Sequence, residues 1–335
     1  MSVFNEFRRR IATIALMLAV GVTAASMQQP PASGTGQTPA GQQPPAGRGR
    51  GGGRGPIVAP LPFEDRTGFE NMFNGTSLTP GEDQARAEAA KREADRAAEE
   101  AKAKAAGQPV ETGRGRGRGR GGFGGPPISR FQDWDGDPKF WRVENGVIVG
   151  ESTTDKRVGP NTFLIWRGGA PGDFELKAEI RMNSTNSGIQ YRSRMIPPNQ
   201  GQPPDQPGHA WRLAGYQMDM DFNNVYPGQL YEEAGRGFLA ERGTMTYIAP
   251  DGTKGVIGQL KTDAEIKAAF KPGDWNQFHL IARGNMLIHI VNGIVTAVCV
   301  DDDLKGRSLG GLIGFQLHAG DPMKLEIRNL AIKLK

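Results

Sequence analysis

Cysteine is nearly absent from this sequence: Cys299 is the only one. One thiol can form neither an internal disulfide framework nor a cysteine-based metal site. Within the apolar run Ile294 to Val300 it reads as a buried, inert side chain. Long apolar runs are also scarce. Ile11 to Val22 falls short of the roughly 20 residues that span a bilayer, and no comparable run follows. Because Arg8, Arg9 and Arg10 precede that run and Val22-Thr23-Ala24 offers a small-residue cleavage site, Met1 to Ser26 reads as a signal peptide. The expectation is an exported chain, periplasmic or extracellular, with no retained membrane span. Also missing are a nucleotide-binding glycine loop, zinc-ligand spacing and a serine-hydrolase elbow; Gly168-Gly169 and Gly235-Arg236-Gly237 are turn signals.

A formal net charge of +5 and a pI near 9.3 invite a nucleic-acid reading, so the location of the charge matters. Met1 to Ser26 carries a net +2, and seven arginines (48, 50, 54, 114, 116, 118 and 120) lie in two Arg-Gly tracts; without both, the formal +5 becomes −4. A mildly acidic remainder excludes a duplex-binding core and suits a neutral ligand. No nucleic-acid partner is expected.

Residues 27–62 are Pro, Gly, Gln and Arg with little to bury, the composition of a disordered spacer. Phe63 to Leu78 has clustered apolar residues and an Asn74-Gly75 turn, and reads as the start of a domain reaching residue 335. An insertion at 79–132 then interrupts it, with a solvated Ala/Glu/Lys/Arg helix over 82–106 followed by the second Arg-Gly tract.

From Trp134 onward the period is two. Trp141 to Glu144, the Asn145-Gly146 turn and Val147 to Gly150 predict a hairpin. Phe174, Leu176, Ala178, Ile180 and Met182 alternate with Glu175, Lys177, Glu179 and Arg181 as in a half-buried strand. Further strands are expected at 162–167, 187–194, 213–222, 275–283, 286–291, 295–300, 312–318 and 324–333, with a short helix at 263–270 capped by Thr262. This pattern predicts an all-β fold, an antiparallel β-sandwich or jelly roll whose last strand lies beside its first.

On several strands the side away from the core is unusually polar. Gln190 and Arg192 oppose Ile189 and Tyr191; Gln217, Asp219 and Asp221 oppose Tyr216, Met218 and Met220. Gln316 and His318 oppose Phe315 and Leu317, and Glu326 and Arg328 oppose Leu325 and Ile327. A solvated face would alternate in the same way. Two aspartates on one strand face, however, are like charges in an element that disfavours Asp, and a ligand, a cation or a shared proton would explain them. Trp166, Tyr191, Trp211, Tyr216, Tyr226 and Tyr231 could stack on a ligand ring. Of the four histidines, His279 and His289 read as structural, His209 sits in a Pro/Gly-rich loop, and His318, ending a strand, is the best site candidate.

The stretches Trp134-Asp-Gly-Asp-Pro-Lys-Phe-Trp-Arg-Val-Glu-Asn-Gly146, Asn161-Thr-Phe-Leu-Ile-Trp-Arg-Gly-Gly169, Asp173-Phe-Glu-Leu-Lys177, Asn186-Ser-Gly-Ile-Gln-Tyr-Arg192, Gly215-Tyr-Gln-Met-Asp219 and Gln316-Leu-His318 occur in order. With them the chain resembles the 3-keto-disaccharide hydrolase family from about Gly68 to its C-terminus. In that family the Phe-Asn-Gly-x-Ser-Leu start runs almost directly into Trp-Asp-Gly, and here 79–132 intervenes. The resemblance implies a concanavalin-like sandwich acting on glycosides oxidised to a ketone at C3. Such a ketone acidifies the C2 proton, so a base can remove it and the C1 substituent can leave with acid assistance, before water adds.

On the polar-face reading, Asp219, Asp221 or His318 serve as base and acid, with Arg192 and Gln190 near the developing oxyanion and Glu151 and Glu232 in reserve. Gln217, Gln316, Tyr191, Trp166 and Trp211 are candidate substrate contacts. No cofactor is assigned; a divalent cation, if used, would fall to Asp219, Asp221 and His318. The alternative is a non-catalytic carbohydrate-binding or attachment module.

Overall fold

The computed structural model describes residues 63–105, 130–198, 200 and 210–335. The leader, the spacer, His209 and the second Arg-Gly tract lie outside them. The described chain begins with β1 (Glu70–Asn71) and α1 (Pro80–Ala105), then β2 (Trp134–Asp135), β3 (Trp141–Glu144), β4 (Val147–Glu151), β5 (Thr162–Trp166) and β6 (Phe174–Met182). Next come β7 (Asn186–Met195), β8 (Leu213–Asp221), β9 (Leu230–Glu233), β10 (Gly237–Ala240), β11 (Thr244–Ile248) and β12 (Lys254–Gln259). The chain closes with α2 (Asp263–Ala269), β13 (Asn276–Arg283), β14 (Met286–Val291), β15 (Ile294–Asp301), β16 (Leu312–Leu317) and β17 (Lys324–Leu334). No helix among the described residues is long and apolar enough to cross a membrane.

These strands form a β-sandwich. One sheet runs β12-β11-β15-β14-β13-β6-β17-β4-β3, with β1 on β17; the other runs β10-β9-β8-β7-β16-β5-β2. All pairings are antiparallel except β11 with β15. The alternation in β6 explains its place: Phe174, Leu176, Ala178, Ile180 and Met182 are buried between the sheets against Ile189, Tyr191, Tyr216, Met218 and Phe315 of the facing sheet. Each large apolar side chain so buried contributes roughly 1.5–3 kcal/mol, so this layer sets the register of both sheets. Cys299 lies in the same core, its thiol pushed up to about 12 by burial.

Glu70 pairs with Ile332 and Asn71 with Ala331, which sets the first described strand beside the last. The Trp134 indole donates to the Met72 carbonyl at 2.8 Å, and the Trp134 amide donates to the Leu78 carbonyl at 2.6 Å. Leu78 and Trp134 therefore meet directly, so what lies between them adds loop length without moving either end, a change that costs little. α1 carries Glu82 and Asp83 in its first turn, as its helix dipole favours. Arg130 ties Glu82 and Asp133 together at the base of the insertion.

Five strands escaped the sequence pattern: β2 is two residues long, and β9 to β12 are short, with Gly228, Gly235, Gly237 and Gly243 punctuating them with positive φ or tight turns. One expected face also divides. β17 belongs to the larger sheet, so Glu326 and Arg328 pair there with Arg181 and Glu179 instead of joining the polar faces of β7, β8 and β16.

Candidate functional site

β16, β7, β8, β9 and β10 are successive neighbours, and their non-core side chains form the outward face of the smaller sheet. Register places Gln190, Gln217, Tyr231 and Phe238 in one row across four strands. Gly188 opposes Asp219 in the next row, one residue along from the Phe315 and Ile189 pair, which brings Gln316 alongside. Gly188 is needed because the Gln217 side chain lies across it: a Cβ there would stand 2.3 Å from Gln217 Cγ. The result is a cavity of about 440 Å³ lined by Asn161, Asn186, Gln217, Asp219, Tyr226, Tyr231, Glu233, Phe238, Gln316 and His318. That volume falls in the range of small-molecule sites, about 300–1,000 Å³.

Asp219 is the electrostatic centre of this cavity. Its carboxyl accepts from the Gln217 amide at 2.8 Å and the Gln229 amide at 3.1 Å, yet burial lifts its pKa to about 7, with Glu233 and Asp221 adding repulsion. Glu233 is also raised, chiefly by burial, against the pull of the Asn161 amide (3.2 Å), His318, Arg212 and Gln316. The His318 Nδ1 stands 2.6 Å from the Ala319 carbonyl, an obligate acceptor, so Nδ1 carries the proton and Nε2 keeps a free lone pair in the neutral ring. Gln217 Oε1 and Gln316 Oε1 are buried acceptors with no donor among the described residues. Groups left unsatisfied in this way cost stability unless a ligand supplies hydrogens. At the rim, Tyr226 stacks on Phe238 (5.9 Å, 27°) and Tyr231 meets the same ring edge-on at 5.1 Å.

The cavity thus gathers Asp219, His318, Gln217 and Gln316 from the sequence-derived set. It also takes in Tyr226 and Tyr231, two of the aromatics singled out as stacking candidates, but not the rest. Asp221 turns away to accept the Val225 amide at 2.8 Å, capping a turn. The strand alternation expected to align Arg192 with Gln190 breaks at a bulge after Tyr191, where Arg192 adopts φ 45°. Its guanidinium is buried on the carbonyls of Gly172 (2.9 Å), Gly284 (2.6 Å) and Ser308 (3.3 Å), with Asp173 at 3.1 Å, which makes it a tie between loops. Gln190 is fully buried beside Ser193 and does not line the cavity.

Tyr191 is a core residue with its hydroxyl 2.9 Å from His289 Nε2, and Trp166 is buried against Phe131 with its indole donating to that residue's carbonyl at 2.5 Å. Trp211 covers the small apolar cluster Phe163, Ile165 and Leu213 and donates to Asp135 at 2.6 Å. Glu151 belongs to the opposite sheet, 2.5 Å from Arg142. Glu232 faces inward to Arg236 at 2.6 Å. Asp219, Asp221 and His318 do not assemble as cation ligands, and among the described residues no three His, Cys, Asp or Glu side chains do.

Asn161, Asn186, Glu233 and Phe238 are the lining residues that sequence reasoning missed. Glu233 and Phe238 sit on strands too short to show a period, but parity was available: with Tyr231 on the ligand side, Glu233 and not Glu232 shares its face.

A family model for the 3-keto-alpha-glucoside-1,2-lyase-like domain matches residues 68–333. The chain belongs to this family. The lyase-like domain accordingly includes all the strands β1 to β16 and nearly all of β17, together with the cavity. Among solved structures, the chain is similar to a candidate glycosyl hydrolase from Parabacteroides distasonis (20% identity over 61% of this chain and 89% of that one, TM-score 0.37). It is similar also to a carbohydrate-binding module from Bacillus subtilis (12%, 60% and 94%, TM-score 0.37) and to a galectin-like Bacillus subtilis protein of unknown function (14%, 61% and 90%, TM-score 0.37). No curated protein matches this sequence.

Proposed function

We propose that this domain cleaves glycosides that carry a ketone at C3, by elimination across C1 and C2 followed by hydration. The observation that carries the reading is the pairing of two carboxyls with raised pKa values, Asp219 and Glu233, in one cavity with unpartnered amide oxygens. A base with a pKa near 7 is matched to removing an acidified C–H at neutral pH, and a carboxyl whose pKa burial raises is better able to deliver a proton to a departing oxygen.

In this scheme Asp219 takes the C2 proton, the C1–O bond breaks, and Glu233 protonates the leaving oxygen, leaving a 1,2-unsaturated 3-keto sugar. Glu233, now ionised, draws a proton from the water that attacks C1, and Asp219 returns its proton to C2, restoring both groups. His318 Nε2, Gln217 Oε1 and Gln316 Oε1 are acceptors matched to sugar hydroxyls, and the Tyr226, Tyr231 and Phe238 rings offer an apolar wall for the ring face. Asp219 and Glu233 are the carboxyls of the lining and no Lys or Arg among the described residues joins them, which favours an uncharged sugar in this cavity. We further infer an exported location from the leader-like Met1 to Ser26.

The test is product formation by the purified protein from a 3-keto-glucoside and from its unoxidised parent, with and without chelator. Turnover of the keto form alone is expected. Equal turnover of the parent would sink the elimination chemistry, and sugar binding without turnover would favour a binding module.

A further inference from the structure

Glu233 also lines a second cavity, of about 400 Å³, on the same flank of the sandwich. Its floor is Ala214 and Gly215 of β8. Gly215 has φ 148°, and a Cβ there would come within 2.5 Å of Ser193 Oγ, so the floor is kept as bare backbone. Gly215 pairs with Glu233, and Gln217 with Tyr231, so the two cavities succeed each other along β8 and β9 within two residues, about 7 Å.

Their charge is opposite. Five cationic side chains line the second cavity: Arg192, Arg194, Arg236, Lys305 and Arg307. Three are spent within the fold. Arg192 is held by loop carbonyls and Asp173; Arg236 meets Glu232 (2.6 Å), Asp301 (2.7 Å) and Asp303 (3.1 Å); Arg307 meets Asp302 at 3.3 Å. The side chains of Arg194 and Lys305 are exposed and have no hydrogen-bonding or ionic partner among the described residues. Of the two carboxylates in this lining, Glu232 is taken by Arg236, and Glu233 is engaged by Asn161 on the side of the first cavity.

We propose that this second cavity is an anion-binding subsite in which Arg194 and Lys305 hold a carboxylate or phosphate on the leaving group, while the uncharged keto ring lies beside Asp219. This rests on the function proposed above and adds a substrate class: glycosides with an anionic aglycone. The polarity follows from what the two linings do not share: an anion on the keto ring would face Asp219 with no Lys or Arg among the lining residues, whereas an anion on the aglycone meets a guanidinium suited to bidentate contact and an ammonium. Glu233, on the shared wall, stands where the bond between the two parts must lie.

The experiment has two arms. In the first, binding of glucuronate, glucose 6-phosphate and glucose is measured by calorimetry on the full chain and on the double variant Arg194→Gln/Lys305→Gln, whose exposed positions leave the fold intact, as a thermal melt verifies. Expected is binding of one or both anions in preference to glucose, weakened by added salt and at least tenfold by the double substitution; which anion binds identifies the group. Equal affinity for glucose, or unchanged anion affinity in the variant, overturns the subsite. In the second arm, the ratio of kcat/KM for a 3-keto-glucoside of an anionic aglycone to that of a neutral one should fall at least tenfold in the variant, with the neutral value unchanged. An unchanged ratio overturns the subsite and leaves the lyase reading standing. Lack of turnover on every keto-glycoside removes the lyase reading alone, since the binding arm decides the anion site by itself.

Discussion

Both sheets turn alternating polar side chains outward, but they treat them differently. On the larger sheet charges are matched: Arg181 meets Glu326 through two bonds of 2.8 Å, Arg328 meets Glu179 at 2.7 Å and lies over Trp275, and Lys177 donates to the Phe63 and Asp65 carbonyls. On the smaller sheet Asp219 and Glu233 repel each other, and two glutamine oxygens have no donor among the described residues. Alternation is common to a solvated face and a binding face, so it cannot separate them. Trp141 and His279 on the larger sheet also have buried nitrogens without a hydrogen bond among the described residues, so it is the gathering of unmatched carboxyls with unmet acceptors in one cavity that separates them, because folding alone gives no reason to keep it.

The sharpest way to break this contrast is to remove one carboxylate from each face. Asp219→Asn should lower kcat/KM on a 3-keto-glucoside by about 10²- to 10⁴-fold, the usual contribution of a general base, whereas Glu326→Gln should leave it unchanged. Equal losses in steady-state assays would mean that the two faces do not differ in function. Glu233→Gln should cost about as much for a sugar aglycone but far less for a nitrophenyl aglycone, which leaves without a proton. A uniform loss would take the acid role from Glu233. In the parent protein kcat/KM should rise with an apparent pKa near 7 as Asp219 ionises, and this limb should survive His318→Asn. If it disappears with His318, the base is the imidazole.

The sandwich was legible in the sequence because its central strands bury one face each: Phe174 to Met182 and Leu213 to Asp221 write their burial as period two. The candidate site was legible at Gln217 and Asp219 on the second of these strands, and at Gln316 and His318 on and just past β16. It was hidden where backbone irregularity overrides parity. A bulge after Tyr191 swings Arg192 into the loops. Glu233 lies on β9, only Leu230–Glu233 long, where no period can be read. Large aromatics misled for another reason: Trp166 and Tyr191 satisfy their polar atoms inside the protein, on the Phe131 carbonyl and His289, and so bury completely, while the rings left at the cavity rim, Tyr226 and Phe238, are half-exposed.

Stability should show the same contrast on a smaller scale. The Asp219 pKa is raised in the folded state, from 3.8 to about 7, so the folded protein binds the proton more tightly than the unfolded chain does. Its contribution is intact below pH 4 and is lost as pH rises to about 7, beyond which both states are ionised. Asp219→Asn removes that dependence, so its Tm should gain on the parent across this interval and then stay level, by an amount worth at most on the order of 4 kcal/mol at 1.36 kcal/mol per unit. A constant Tm difference from pH 4 to 8 would show that Asp219 is not held against its charge.

On the opposite face, Arg328→Ala should cost only about 1 kcal/mol by chemical denaturation, the sum of a surface ion pair and a cation–π contact. The small value follows from the same logic: a matched pair in reach of water has little to lose. A cost several times larger would mean that the Arg328, Glu179 and Trp275 cluster carries the packing of the larger sheet, and that its polar face is more than a solvated surface.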